Sequence, residues 1–259
     1  AAPFHMWTPD VYEGSPSSTT TILIAAPKIA ALAVIIRILN EPFLGVIVIW
    51  QQIIAAIAIL SMCVGAFTAL RQTNIKRLLA FGAIGNIGYA LMGIMTASED
   101  GVQALLVFIT LYVIMSLGAF AFIMNMQRDG NYIYDINSLS GYANSHPLLT
   151  AAFSLILLSM AGIPPLGGFI GKFYIFLAVV EAGYTFLAII GVIFSVIAAF
   201  YYLKIIKIMY IDELLETYPK QVDLRLCSVV IISSLLMMLF LLYAHSYINI
   251  INNSVSSVF

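Results

Sequence analysis

Seven long apolar stretches constrain this chain more than any other feature. They run at roughly 17–38, 43–70, 75–95, 102–126, 147–180, 184–210 and 226–247. A hydrocarbon core of ~30 Å is crossed by about 20 apolar residues of helix. Strands of a membrane barrel would alternate apolar and polar residues instead, and these runs do not. The expected fold class is therefore all-α and polytopic, with about seven transmembrane helices. Composition points the same way: the 259 residues are 62% hydrophobic and only 9% charged, with a mean hydropathy of +1.04. A soluble domain carries roughly 25% charged residues. The net charge of −1 indicates no nucleic-acid partner. Cys63 and Cys227 lie in or beside apolar runs and form neither a disulfide framework nor zinc spacing.

The fifth stretch differs from the rest. It contains AGIPPLGGFIGKFYIF, residues 161–176, with two prolines and four glycines inside a membrane-grade run. At about 34 residues it is too long for one simple crossing and too short for two with a turn. Gly162, Pro164, Pro165, Gly167 and Gly168 cut it into two half-helices, neither able to span alone. Lipid offers no partner for the backbone groups such a break exposes. The break must therefore lie beside protein or water, as in transporters that build ion sites from broken helices.

Two lysines lie deep in apolar sequence. Lys172 follows the break by one turn. Lys28 follows Pro27 in AAPKIAAL, ten residues from the nearer end of its stretch. Ten residues is about 15 Å of helix, more than a lysine covers by snorkelling. An intramembrane lysine costs about 2.5–3.5 kcal/mol on insertion scales, so it needs a partner or water. Asp10, Glu13 and Glu181 all sit at span ends. The expected partner is thus water or another chain, and the expected role is a proton relay rather than a structural ion pair. Asn86, in a glycine-rich third stretch, and Lys204, about two turns from the end of its span, could line a water path. The glycines beside Asn86 also permit close helix approach. Arg37, Lys76, Arg77, Lys204 and Lys207 lie nearer span ends and read as snorkelling anchors.

Alternating the loops by side puts Arg71, Lys76, Arg77, Arg128, Lys204, Lys207, Lys220 and Arg225 on one face, and only Arg37 on the other. The bias marks the first face as cytoplasm or mitochondrial matrix. Segment 211–225 could form a short interfacial helix. No phosphate loop, cysteine cluster, nucleophile–base order or dinucleotide fingerprint is present, and the three histidines have no partner at metal spacing.

Three segments in series carry a family resemblance: PFHMWTPDVYEGSP (3–16), QTNIKRLLAFGAIGNIGY (72–89) and LLSMAGIPPLGGFIGKFY (157–174). Together they resemble the antiporter-like membrane subunits of respiratory complex I, most closely the subunit N type, called subunit 2 in mitochondria. Single segments would also fit cation/proton antiporters. The resemblance covers essentially the whole chain. It implies a fold of about fourteen helices built on two inverted five-helix repeats, each with one discontinuous helix, of which this chain holds the last seven. It implies proton translocation coupled to electron transfer from NADH to quinone. NADH, FMN, iron–sulfur clusters and quinone would be bound by other subunits, with no cofactor held here.

The resemblance makes Lys28 the link between half-channels and Lys172 the end of the relay. Residues 1–16 become a juxtamembrane segment at the end of the first discontinuous helix. Residues 17–210 become six spans that include the second inverted repeat, and 211–259 an interfacial segment with the last helix. Implied partners are lipids, neighbouring antiporter-like and other membrane-arm subunits, and an N-terminal half carrying a buried glutamate and lysine. The implied location is a bacterial plasma membrane or mitochondrial inner membrane. One departure is chemical: the family commonly has histidine where this chain has Asn86, and asparagine cannot titrate. A free-standing cation/proton antiporter and a purely structural membrane spacer are the competing readings.

Overall fold

The structure, a computed structural model of the protein, describes residues 1–128, 131–213 and 222–255. Helix α1 (Trp7–Gly14) leads into α2 (Ser17–Asn40), α3 (Ile47–Ala69), α4 (Ile75–Met95) and α5 (Glu99–Asn125). A two-residue hairpin pairing, β1 (Gln127–Arg128) with β2 (Asn131–Tyr132), and the one-turn helix α6 (Tyr142–Ser145) occupy the loop that follows. Then come α7 (Pro147–Ala161), α8 (Gly167–Glu181), α9 (Thr185–Tyr210) and α10 (Leu224–Val255). Among the described residues six helices are long and apolar enough to cross a membrane, and the shorter apolar α7 is continued by α8. The seven expected crossings are present, the fifth in two pieces.

Helix α4 is the axis of the bundle. Nearly every residue from Ile75 to Met95 is buried, whereas α2, α3 and α9 bury one side only. Close approach explains its position: a Cβ on Gly65 of α3 would lie 2.5 Å from the Gly85 nitrogen of α4, so small residues let these backbones touch. Helix α5 packs on α4, α8 and α10, and α7 on α9 and α10. The outward faces of α3, α9 and α10 expose Ile53, Phe200, Leu242 and similar side chains, as surfaces meeting hydrocarbon must.

The two ends of the bundle are distinct. At one end α1 docks on the start of α4, Ile75 N donates to Tyr134 O (2.8 Å), Gly141 N to Ile208 O (3.2 Å) and Asp223 N to Asn125 Oδ1 (3.0 Å). At the other, Trp50 donates to Phe43 O (3.2 Å), Gln51 to Met95 O (2.9 Å) and Tyr184 to Gln51 (3.3 Å). The alternation of loops read from the sequence thus matches which loops touch. The expected interfacial helix falls largely on 214–221, outside the described residues, as does Lys220. The last helix runs to Val255, past the 226–247 apolar run, because its ladder continues after the apolar residues end.

One expectation for a charged side chain is overturned. Lys76 is not a snorkelling anchor. It is fully buried, donating to Glu13 O (3.1 Å) and Ser15 O (2.6 Å) beneath the Tyr134 ring. Those carbonyls lie in the last turn of α1 and in the link to α2, where helical partners run out. Arg77 does reach outward, pairing with Glu13 (2.6 Å) and Asp10 (2.9 Å). Asn74 caps α4 through Oδ1, accepting from Lys76 N (2.9 Å) and Arg77 N (3.4 Å), while its amide donates to Glu13 Oε1 (3.0 Å).

Candidate functional site: a polar path between two lysines

The break in the fifth crossing is built around Lys172. Helix α7 stops at Gly162, whose φ of +87° is a left-handed conformation that costs an L-residue about 1–2 kcal/mol. Stopping a helix orphans its last four carbonyls. Here each finds a donor. Leu158 O accepts from Gly162 N (3.2 Å) and Ile163 N (3.1 Å), and Ser159 O from Gly162 N (3.0 Å). Met160 O and Ala161 O accept from Lys172 Nζ at 3.1 and 3.2 Å. The third ammonium proton goes to Ser195 Oγ on α9 (3.0 Å), and the Tyr89 ring lies 5.0 Å away. The cation therefore sits at the negative end of a half-helix, with 4% of its surface exposed. On the other side of the break, Gly168 N donates to Ser159 Oγ (2.9 Å). Gly167 packs against Phe240 and Leu111, where a Cβ would press, while Pro164 and Pro165 form the exposed outer turn.

Lys28 is half-buried in α2. Pro27 removes one N–H from the helix ladder just before it. Its Nζ donates to Tyr112 Oη on α5 (3.1 Å) and lies 4.8 Å from the Tyr112 ring and 5.9 Å from that of Tyr12. Beside it opens a mostly apolar cavity of about 380 Å³ between α1, α2 and α4, lined by Trp7, Tyr12, Leu32 and Ile87 among others. Both lysines were expected to find partners in water or another chain. Within this chain Lys172 meets two freed carbonyls and a hydroxyl, and Lys28 one hydroxyl.

Two small cavities lie between the lysines. One, about 10 Å³, is lined by Lys172, Tyr89, Tyr201, Tyr202 and Asn86 among others. The second, also about 10 Å³, is lined by Tyr112, Ser116, Asn86 and Tyr202. Each is close to the space one water needs. Asn86 and Tyr202 border both, and Asn86 and Lys172 share the first; Lys28 borders neither and connects to the second only through the Tyr112 hydroxyl, giving a line of polar groups from Lys28 through Tyr112, Asn86 and Tyr202 to Lys172. Lys204 is set apart: it is exposed on the outer side of α9 and borders neither cavity. Tyr112, Ser195 and Tyr202 were not singled out from the sequence. The available signal was a hydroxyl inside an apolar run, since a buried tyrosine O–H usually has a partner.

Seven crossings with one broken around a buried lysine define an antiporter-like membrane protein. The chain belongs to the NADH:quinone oxidoreductase/Mrp antiporter transmembrane family, whose model matches residues 1–198. It is 44% identical over 242 residues to NADH-quinone oxidoreductase subunit N of Paramagnetospirillum magneticum, covering 93% of this chain and 50% of that protein. It is 50% identical over 216 residues to the subunit N of Rhodospirillum rubrum, covering 83% and 44%. The chain thus spans about half the length of these curated relatives. Among solved structures, a chain of respiratory complex I from Thermus thermophilus superposes with a TM-score of 0.82 at 30% identity, covering 96% of this chain and 54% of that one. A chain of the Mrp complex from Dietzia superposes at 0.88 with 20% identity, covering 99% and 56%, a likeness of fold alone. The protein is a multi-pass membrane protein of this family.

Proposed function

We propose that this chain forms part of a proton-translocating membrane-arm subunit of NADH-quinone oxidoreductase, relaying protons between Lys28 and Lys172 while other subunits move electrons from NADH to quinone. The observation that carries the reading is the polar line itself. Two membrane-embedded amines are joined by hydroxyls, an amide and two water-sized cavities in an otherwise apolar core. Membership of the family and the similarity to subunit N support the redox-driven version. A proton handed to Lys172 rests among two carbonyls and a serine hydroxyl until it moves on, and a proton at Lys28 rests on the Tyr112 hydroxyl.

In this reading NADH, FMN, iron–sulfur clusters and quinone belong to partner subunits. Further helices of the subunit's other repeat pack against α2 on this side, with a few of their side chains filling the 380 Å³ cavity, and bring a buried glutamate and lysine to the amine. Residues 1–16 close that first repeat, 17–210 hold the second, and 211–259 anchor the end. The path lies in a bacterial plasma membrane or its mitochondrial counterpart. A cation/proton antiporter subunit is the second reading, favoured by the fold shared with the Mrp chain. Isolation from membranes in mild detergent separates the two. NADH-oxidising subunits should accompany this chain; company limited to ion-antiporter subunits, with no NADH oxidation, would transfer the function to the second reading.

A further inference from the structure

The middle of the path poses a chemical problem. A group that passes protons must accept one on one side and release one on the other. Asn86 does this poorly. Its Nδ2 is committed to Gly82 O at 2.9 Å, and an amide gives up an N–H proton only by leaving its stable tautomer. A hydroxyl has both a donor and acceptor lone pairs on one oxygen. Among the described residues bordering both small cavities are Asn86, Met160 and Tyr202, and of these three Tyr202 alone carries a hydroxyl.

Its placement is specific. Tyr202 is 2% exposed on α9, with its ring 4.4 Å from that of Tyr201. It shares the lining of both small cavities with Asn86. Gly82 makes the room: a Cβ there would fall 2.9 Å from Tyr202 Oη and 3.4 Å from Tyr201 Oη. The Tyr202 hydroxyl thus enters the wall between the cavity reached by the Lys28-bonded Tyr112 and the cavity bordered by Lys172.

We infer that Tyr202 is the relay residue at the centre of this path, standing in for a titrating side chain at position 86, an inference that rests on the proton-relay reading above. The step balances without net charge on the tyrosine. A protonated water in the cavity beside Tyr112 gives its excess proton to the phenol oxygen and becomes neutral water, and one new O–H bond forms. The original O–H bond breaks, and its proton passes through water in the cavity beside Lys172 to the neutral Lys172 amine, which becomes the ammonium. Rotation of the hydroxyl resets the group, and no electrons change hands. Asn86 holds and orients the waters. Tyr201 borders only the Lys172 cavity and packs the ring of Tyr202.

The test compares proton-to-electron ratios in the intact assembly, in sealed vesicles, for Tyr202→Phe, Lys172→Met and Tyr210→Phe, an exposed tyrosine at the end of the same helix that borders neither cavity. Tyr202→Phe keeps the ring and removes the oxygen. It should lower the ratio to that of Lys172→Met with assembly preserved, while Tyr210→Phe stays at the unmodified ratio. A normal ratio in Tyr202→Phe, with Lys172→Met impaired, overturns the role of Tyr202 alone. A normal ratio in Lys172→Met overturns the relay reading beneath it. Should Tyr202→Phe fail to assemble, difluorotyrosine at 202 preserves shape and makes the hydroxyl more acidic. A changed pumping rate per assembled complex supports the inference, and an unchanged rate overturns it.

Discussion

Replacing Gly162 by alanine tests how the broken crossing holds its lysine. Alanine at a φ of +87° costs about 1–2 kcal/mol. Its methyl carbon would also lie 3.2 Å from Lys172 Cδ and 3.4 Å from Nζ, so the amine must shift by a few tenths of an ångström. The chain can escape the strain only by abandoning the cap, losing the bonds from Gly162 N and Ile163 N to Leu158 O and Ser159 O, at about 1 kcal/mol each. Neither route is cheaper than ~1 kcal/mol, which displaces the folded equilibrium by about fivefold or more. Asparagine tolerates the left-handed region and isolates the contact with Lys172 from the backbone strain. The assay is heat-induced loss of the folded chain from detergent extracts, followed by fluorescence-detected gel filtration. Alanine should lower the midpoint by roughly 2–8 °C, on the scale of a 150–250-residue domain, and asparagine by less than half as much. An alanine variant as stable as the unmodified chain, or an asparagine variant less stable than the alanine one, would refute the reasoning.

Lys76→Met should leave the partly buried carbonyls of Glu13 and Ser15 without their Lys76 donor and cost about 1–3 kcal/mol, read as faster proteolysis between residues 13 and 17 and a lower folded yield. Of the two partners of Arg77, Asp10 is 73% exposed, so Asp10→Asn should change stability by less than about 0.5 kcal/mol. Glu13→Gln also weakens the bond from Asn74 and should cost more than Asp10→Asn in the same thermal assay. Single cysteines in the 71–77 loop should react with impermeant reagents from the cytoplasmic or matrix side; labelling from the opposite side alone would reverse the charge-bias argument.

The sequence carried much of this architecture because membrane helices are written in long apolar runs. Five of the seven expected spans match helices within a few residues, as at Ile75–Met95, the fifth span is broken as expected, and the last helix overruns its apolar run. The break was legible because PPLGG cannot continue a helix. What holds Lys172 was not, because the carbonyls of Met160 and Ala161 belong to the backbone and leave no mark in residue types. Lys76 was misread for a related reason. Its position near a span end is the same for an anchor and for a buried clamp, and only the docking of α1 on α4 separates them. Tyr112 and Tyr202 were hidden among apolar aromatics. Their hydroxyls gain meaning only when α4, α5 and α9 bring them together around Asn86. Lys204 had two readings from its place two turns from a span end, and its exposed position fits the anchor rather than the water path.

The central claim is that protons pass through the two intramembrane amines, and replacing each by methionine tests it most directly. Methionine keeps the length of the side chain and removes the charge. The measurement is the number of protons moved per electron from NADH to quinone, made on vesicles containing the assembled complex. Lys172→Met and Lys28→Met should each lower the ratio while NADH-oxidising subunits stay attached, because a relay fails at any missing link. An unchanged ratio in either variant would contradict the relay role of that lysine, and an unchanged ratio in both would leave this polar line without its function.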